Sequence, residues 1–266
     1  MLPHCIRDRF FAQTAVFIYK RRSMDIDKIV KESAEEIIRR IKSEGIEEDL
    51  SSRGIARRTV ISATGDISSP RKIDALCDKA IDGGFYGICV YGADIAQTAE
   101  RLSGKGISVC AAIGYPFGAS TTESKVFEAK GAVMKGANEI DVMMNVGAAA
   151  AGSWDEVQSE AVDIVNAIKG YAKVNIAIAS DFLDDEEKRR LCRIAKLAKA
   201  DGICLCGCKP GYLANVADTE ICVASAGNTL NIKVDGIISS AEQVKELISA
   251  GASIIVSGDP ENFLDF

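Results

Sequence analysis

Ala200-Asp201-Gly202-Ile203-Cys204-Leu205-Cys206-Gly207-Cys208-Lys209-Pro210-Gly211 reads as a buried strand followed by a turn. Its apolar residues run on without alternating with polar ones, which marks a strand covered on both faces. The segments on either side, 185–199 and 214–226, have helical periodicity instead. The same pairing recurs along the chain. Short apolar runs lie near 57–63, 86–91, 107–113, 138–146, 173–179, 201–206, 230–235 and 253–257, which makes eight. Helical segments at 70–83, 93–103, 121–135, 153–168, 185–199, 214–226 and 240–250 separate them. Eight such units predict a closed (β/α)8 TIM barrel of the α/β class, spanning 53–266. Ser69-Pro70, Ser153 and Ser239-Ser240 stand where helix caps are expected.

Upstream, 24–52 carries an amphipathic helix, with Ile26, Ile29, Val30, Ala34, Ile37, Ile38 and Ile41 at helical spacing. Residues 1–23 differ, holding Arg7, Arg9, Lys20, Arg21 and Arg22 against the single acid Asp8. They lack a clean apolar core of the targeting type and are read as an upstream extension, with Met24 the natural beginning.

Composition narrows the function. The 266 residues are 47% hydrophobic, enough for one large core. A net charge of -6 and a pI near 5.1 argue against nucleic acid or an anionic membrane surface as partner. No apolar run reaches the 18 or so residues of a membrane span. The nine cysteines are mostly embedded in apolar runs, as buried free thiols of a cytoplasmic protein would be. His4 is the only histidine, so triad chemistry and His-ligated metals are not expected, and proton transfer falls to Lys, Asp, Glu, Tyr or Cys. No cofactor and no metal is expected.

In such a barrel the site lies at the C-terminal strand ends. Lys233 lies inside an apolar strand and shares one side of its pleat with Asn231 and Asp235. Desolvation there would lower its pKa and prepare it to attack a carbonyl or shuttle protons. The bland alternative is a surface lysine on a frayed strand end. Asp141, also within an apolar strand, would tune the lysine and relay protons, or form a structural ion pair. Cys204, Cys206 and Cys208 alternate and share one face, either as a soft-metal site or as a small-residue lining. Ligands on one strand stand about 6.5–7 Å apart, too far for one ion, which favours the lining.

Several segments resemble the deoxyribose-phosphate aldolase family. They are Gly87-Ile88-Cys89-Val90-Tyr91, then Ala112-Ile113-Gly114-Tyr115-Pro116-Phe117-Gly118-Ala119-Ser120-Thr121-Thr122-Glu123, then Gly136-Ala137-Asn138-Glu139-Ile140-Asp141-Val142-Met143-Met144-Asn145, and Asp185-Glu186-Glu187-Lys188. The resemblance covers about Ile73 to Gly258. It implies a metal-free class I aldolase barrel, in which a sixth-strand lysine forms a Schiff base with a sugar-phosphate aldehyde. A seventh-strand lysine and a fourth-strand aspartate, matching Lys233 and Asp141, would support proton transfer.

The chain departs from the family at the nucleophile. Where the family reads Ala-Asp-Phe-(Val/Ile)-Lys, this chain has Cys204 in the lysine position, and Lys209 follows five residues later. The strand-five lysine and glutamate are replaced within Asn175-Ile176-Ala177-Ile178-Ala179-Ser180. The two phosphate turns read Val234-Asp235-Gly236-Ile237 and Val256-Ser257-Gly258-Asp259-Pro260, adding two carboxylates that would repel an anion. Either the substrate lacks the phosphate or the site no longer works.

The expected catalytic residues are therefore Lys233 as substitute nucleophile, Asp141 as proton relay, and Lys209 and Cys204 nearby. Cys89, Gly236, Ser257 and Gly258 are the expected substrate contacts. The substrate would be a small-molecule aldehyde or sugar phosphate, cleaved by a reversible aldol reaction. A homo-oligomer is compatible with this reading, and the alternative is a non-catalytic aldolase-like barrel that binds or assembles.

Overall fold

The computed structural model describes residues 49–264 apart from Asp66. The amphipathic helix expected at 24–52 and the extension at 1–23 lie outside these residues except for the last positions of the former.

A short helix, α1 (Ser52–Ala56), leads into β1 (Thr59–Ser62). There follow α2 (Pro70–Gly83), β2 (Gly87–Val90), α3 (Ile95–Leu102), β3 (Ser108–Ile113), α4 (Thr122–Met134) and β4 (Glu139–Met143). Two helices, α5 (Val146–Ala150) and α6 (Trp154–Ile168), precede β5 (Lys173–Ala179). The chain continues through α7 (Asp185–Ala198), β6 (Gly202–Cys206), α8 (Val216–Ala226), β7 (Asn231–Asp235), α9 (Ala241–Ser249) and β8 (Ile254–Ser257). The eight strands pair in parallel and in order, and β8 closes on β1, so the barrel is complete. Among the described residues no helix is long and apolar enough to cross a membrane.

Alternation along each strand separates two kinds of interior. Ile88, Ile140, Val142, Ile176, Ile203, Leu205, Ile232 and Val234 point outward and pack under the helices in one large apolar core. The inward positions are smaller and partly polar. Val60, Cys89, Cys110, Ala112 and Val256 form one apolar cluster inside the barrel. Met143, Val146, Ala177, Ala179, Cys204 and Cys206 form another, and Tyr115 packs against both.

The helix caps follow the sequence with one exception. Ser69 accepts from Lys72 N, Ser240 accepts from Gln243 N, and Asp184 and Glu187 complete a reciprocal capping box. Ser153 stands at the start of α6 but makes no capping bond. Strand β4 ends at Met143 rather than running to 146, because Asn145 accepts from Ala148 N and starts α5. A buried ion pair pins that end. Lys125 Nζ lies 2.6 Å from Glu160 Oε1 and 2.8 Å from the Met143 carbonyl, while Glu160 Oε2 accepts from Asn145 N at 3.0 Å. A second buried pair, Lys188 with Asp218 at 2.6 Å, joins α7 to α8.

Candidate active site

Strand β7 points Lys233 into the barrel, 1% exposed. Its Nζ donates to Asp141 Oδ2 at 2.7 Å, Asp141 Oδ1 at 3.0 Å and Glu139 Oε1 at 2.7 Å. A weaker contact reaches Cys110 Sγ at 3.5 Å. Glu139 and Asp141 are two apart on β4, so the pleat places both on the inward face. Asn175 bridges them, donating to Glu139 at 2.9 Å and Asp141 at 2.7 Å. Cys110 Sγ donates to Asp141 Oδ2 at 3.1 Å. Tyr86 closes the lower side, its hydroxyl donating to Glu139 Oε2 at 3.0 Å and accepting from Lys173 Nζ at 3.2 Å.

This arrangement corrects the expected acidity of Lys233. Burial alone lowers it, as the sequence reading held, but Asp141 and Glu139 outweigh burial and hold the ammonium well above the ordinary lysine value. Glu139 responds in kind: burial would raise its carboxyl, and Lys233 holds it below the usual value. The resting lysine is a fully charged ammonium.

Cys204 lies directly across from Lys233 in the β6–β7 register, and across from Ala177 on the other side. Its thiol is held well above the ordinary value by a hydrogen bond with Cys206 and by burial, so it keeps its proton. Cys206 shares the interior face with it. Cys208 lies beyond the end of β6, in the following loop, where it packs against the same interior cluster and its thiol donates to the Pro116 carbonyl at 2.9 Å. The three thiols thus line one side of the interior, two from the strand and one from the loop.

Lys209 stays at the rim. Its backbone N–H donates to Asp181 Oδ2 at 2.7 Å and its Nζ to the Asp181 carbonyl at 2.8 Å, with the ammonium 4.3 Å from the Phe182 ring centre. It is not brought together with Lys233. Cys89 faces Cys110 in the β2–β3 register. The ligand atoms of Cys89, Cys110 and Asp141 lie within 4.8 Å of one another. Lys233 already places a positive charge on that carboxylate, which opposes a metal cation there.

Above Lys233 on the same pleat stands Asp235, at the end of β7. Burial, then the nearby Asp141 carboxylate, push its pKa up to about 7, against the pull of Lys233 and of the Gly236 N–H. Gly236 follows it, and on the neighbouring strand Ser257 ends β8 with Gly258 just beyond, Ser257 buried and Gly258 exposed. Tyr115 covers the mouth, its hydroxyl 3.8 Å from Cys206 Sγ.

Glu139, Cys110 and Tyr86 were not singled out from sequence, whereas Tyr115 lies in 114–117, one of the strand ends where the site was expected. Glu139 was legible, since it stands two residues from Asp141. Tyr86 and Tyr115 lie just outside strands, where alternation carries no information about direction.

No protein-family model matches the chain. It is 36% identical over 183 residues to a deoxyribose-phosphate aldolase of Lactococcus lactis subsp. cremoris, covering 68% of this chain and 82% of the relative. It is 38% identical over 184 residues to a deoxyribose-phosphate aldolase of Aciduliprofundum boonei, covering 69% and 83%. A tetrameric structure of deoxyribose phosphate aldolase from Aeropyrum pernix superposes with a TM-score of 0.74 at 22% identity, over 83% of this chain and 93% of that one.

Proposed function

The chain belongs to the deoxyribose-phosphate aldolase family, and from that premise we propose that it catalyses reversible aldol cleavage of a small aldehyde or sugar phosphate through a Schiff base on Lys233. One observation carries the assignment of the lysine. Lys233 is the only buried lysine on a strand among the described residues, and its Nζ lies 2.7 Å from Asp141 Oδ2.

The chemistry follows from that pair. Asp141 takes a proton from the ammonium, and the freed amine adds to the substrate carbonyl. Loss of water gives a protonated imine, which keeps the positive charge where Glu139 and Asp141 already stabilise one. A carboxylate then takes the proton of the β-hydroxyl. The C–C bond breaks, its electrons move into the iminium to form an enamine, and the first aldehyde leaves. Protonation of the enamine and hydrolysis by water release the second aldehyde and restore the lysine. Cys204 cannot replace the amine, since a hemithioacetal offers no protonated imine to accept those electrons.

The same ion pair supports a second reading. A lysine held as ammonium by two carboxylates suits a barrel that binds its ligand without bond making. Incubation with acetaldehyde or deoxyribose 5-phosphate, borohydride reduction and peptide mapping by mass spectrometry separate the two. A reduced adduct on Lys233 supports the aldolase. An adduct on Lys209 moves the site to the rim, and no adduct together with no cleavage product leaves the binding barrel.

The eight free cysteines among the described residues suit a reducing compartment, and we place the chain in the cytoplasm. A homo-oligomer fits this assignment, and light scattering after size exclusion tests it.

A further inference from the structure

We propose that the barrel takes a neutral, hydroxylated aldehyde rather than a phosphate ester, and that Asp235 sets this preference; the proposal rests on the reading of the barrel mouth as an aldolase site. In TIM barrels the turns after the seventh and eighth strands frequently hold phosphate, through backbone N–H groups aimed at the anion. Here three of those donors are engaged within the chain. The Gly236 N–H lies against the Asp235 carboxylate and favours its charged form. The Ile237 N–H donates to the Tyr212 carbonyl at 3.0 Å. The Asp259 N–H donates to Ser257 Oγ at 3.2 Å.

The space beside the β7 turn is also filled. The Tyr212 ring packs so closely that a Cβ built on Gly236 would meet its Cδ1 at 3.1 Å, and one on Gly207 would meet its Cγ at 2.0 Å. Leu213 pairs with Ile237 in an isolated bridge, which ties the β6 loop to the β7 turn.

The charges oppose an anion as well. Lys233 is committed to Glu139 and Asp141, and Lys209 to the Asp181 carbonyl. Asp235 and Asp259 bring two carboxylates to the same turns. Enclosure already pushes the Asp235 pKa up to about 7, so a dianion beside it would be disfavoured further. Once ionised above that pKa, as at pH 8, the carboxylate accepts hydrogen bonds from hydroxyl groups and offers none to phosphate oxygens. That favours a polyol-like aldehyde.

Titration calorimetry of the full chain at pH 8 with 2-deoxyribose and with 2-deoxyribose 5-phosphate tests this. The neutral sugar is expected to bind at least tenfold more tightly. Asp235→Ser, and independently the shape-preserving Asp235→Asn, are expected to shift that ratio tenfold or more toward the phosphate ester, with circular dichroism confirming that each is folded. Tighter binding of the phosphate ester by the unaltered protein overturns the proposal, as does failure of the neutral sugar to bind. A ratio unchanged in Asp235→Asn removes Asp235 as its cause. Because the readout is binding, absence of a borohydride adduct on Lys233 would sink the imine mechanism while leaving this preference standing.

Discussion

Cys204 and Lys233 face each other directly across the β6–β7 pair, a protonated thiol beside a buried ammonium. Substitution Cys204→Lys would set two ammonium groups side by side, and the newcomer, buried and next to a like charge, would be driven toward the neutral amine. We expect the borohydride adduct to move from residue 233 to residue 204. Trapping at neutral pH should speed up by a factor of ten or more. Peptide mapping of the two proteins after identical aldehyde exposure reads both effects.

Removing the cation exposes the other half of the arrangement. Lys233→Met leaves Glu139 and Asp141, which share Asn175 as a donor, buried without a counter-charge. Breaking a buried pair in this way costs about 3–5 kcal/mol. Urea unfolding at pH 7 should show that loss, and adding Asp141→Asn to the same protein should recover part of it. Equal stability of the single and double variants would mean that the carboxylates do not repel.

Asp235 gives a pH signature with a definite sign. Its folded pKa is about 7 against an ordinary value of 3.8, so between these limits the folded protein holds a proton that the unfolded chain has released. Stability therefore falls as pH rises from about 4 to about 7, and the contribution of this group is lost above that. In Asp235→Asn the slope in this window should flatten. Melting temperatures of the two proteins across that range provide the comparison.

Gly207 is the point where the β6 loop is tightest. A methyl there would overlap the Tyr212 ring, with the nearest ring atom at 2.0 Å. Overpacking of this kind costs about 1–3 kcal/mol. Gly207→Ala should lower the melting temperature and release the 208–213 loop, read as faster proteolysis there. Gly65→Ala, with nothing within 4 Å of the added carbon, is the matched control.

The fold was legible because parallel barrels leave a strong trace. Each strand is buried on both faces, and each helix between them keeps its own period. What alternation could not supply was the sign of the Lys233 shift. The pleat put Lys233 and Asp141 on inward faces, and burial alone predicts a depressed pKa. The second carboxylate, Glu139, stands two residues before Asp141 on the same inward face, and the approach of both to Lys233 across the barrel reverses the outcome. Cys208 keeps company with Cys204 and Cys206 although β6 stops at Cys206, because the loop carries it on along the same interior cluster. Asn145 illustrates the opposite case, where a single capping residue ends the apolar run 138–146 early.

The Tyr86 hydroxyl links the floor of the barrel to its working end. From Lys173 through Tyr86 to Glu139 and on to Lys233, each group touches the next at 3.2, 3.0 and 2.7 Å. The buried lysine is thereby linked to the exposed Lys173 at the N-terminal end of the barrel. The charge of Lys233 is therefore set in part from the N-terminal end of the barrel: Tyr86→Phe, made there, is expected to free one oxygen of Glu139 and to change how firmly Lys233 holds its proton.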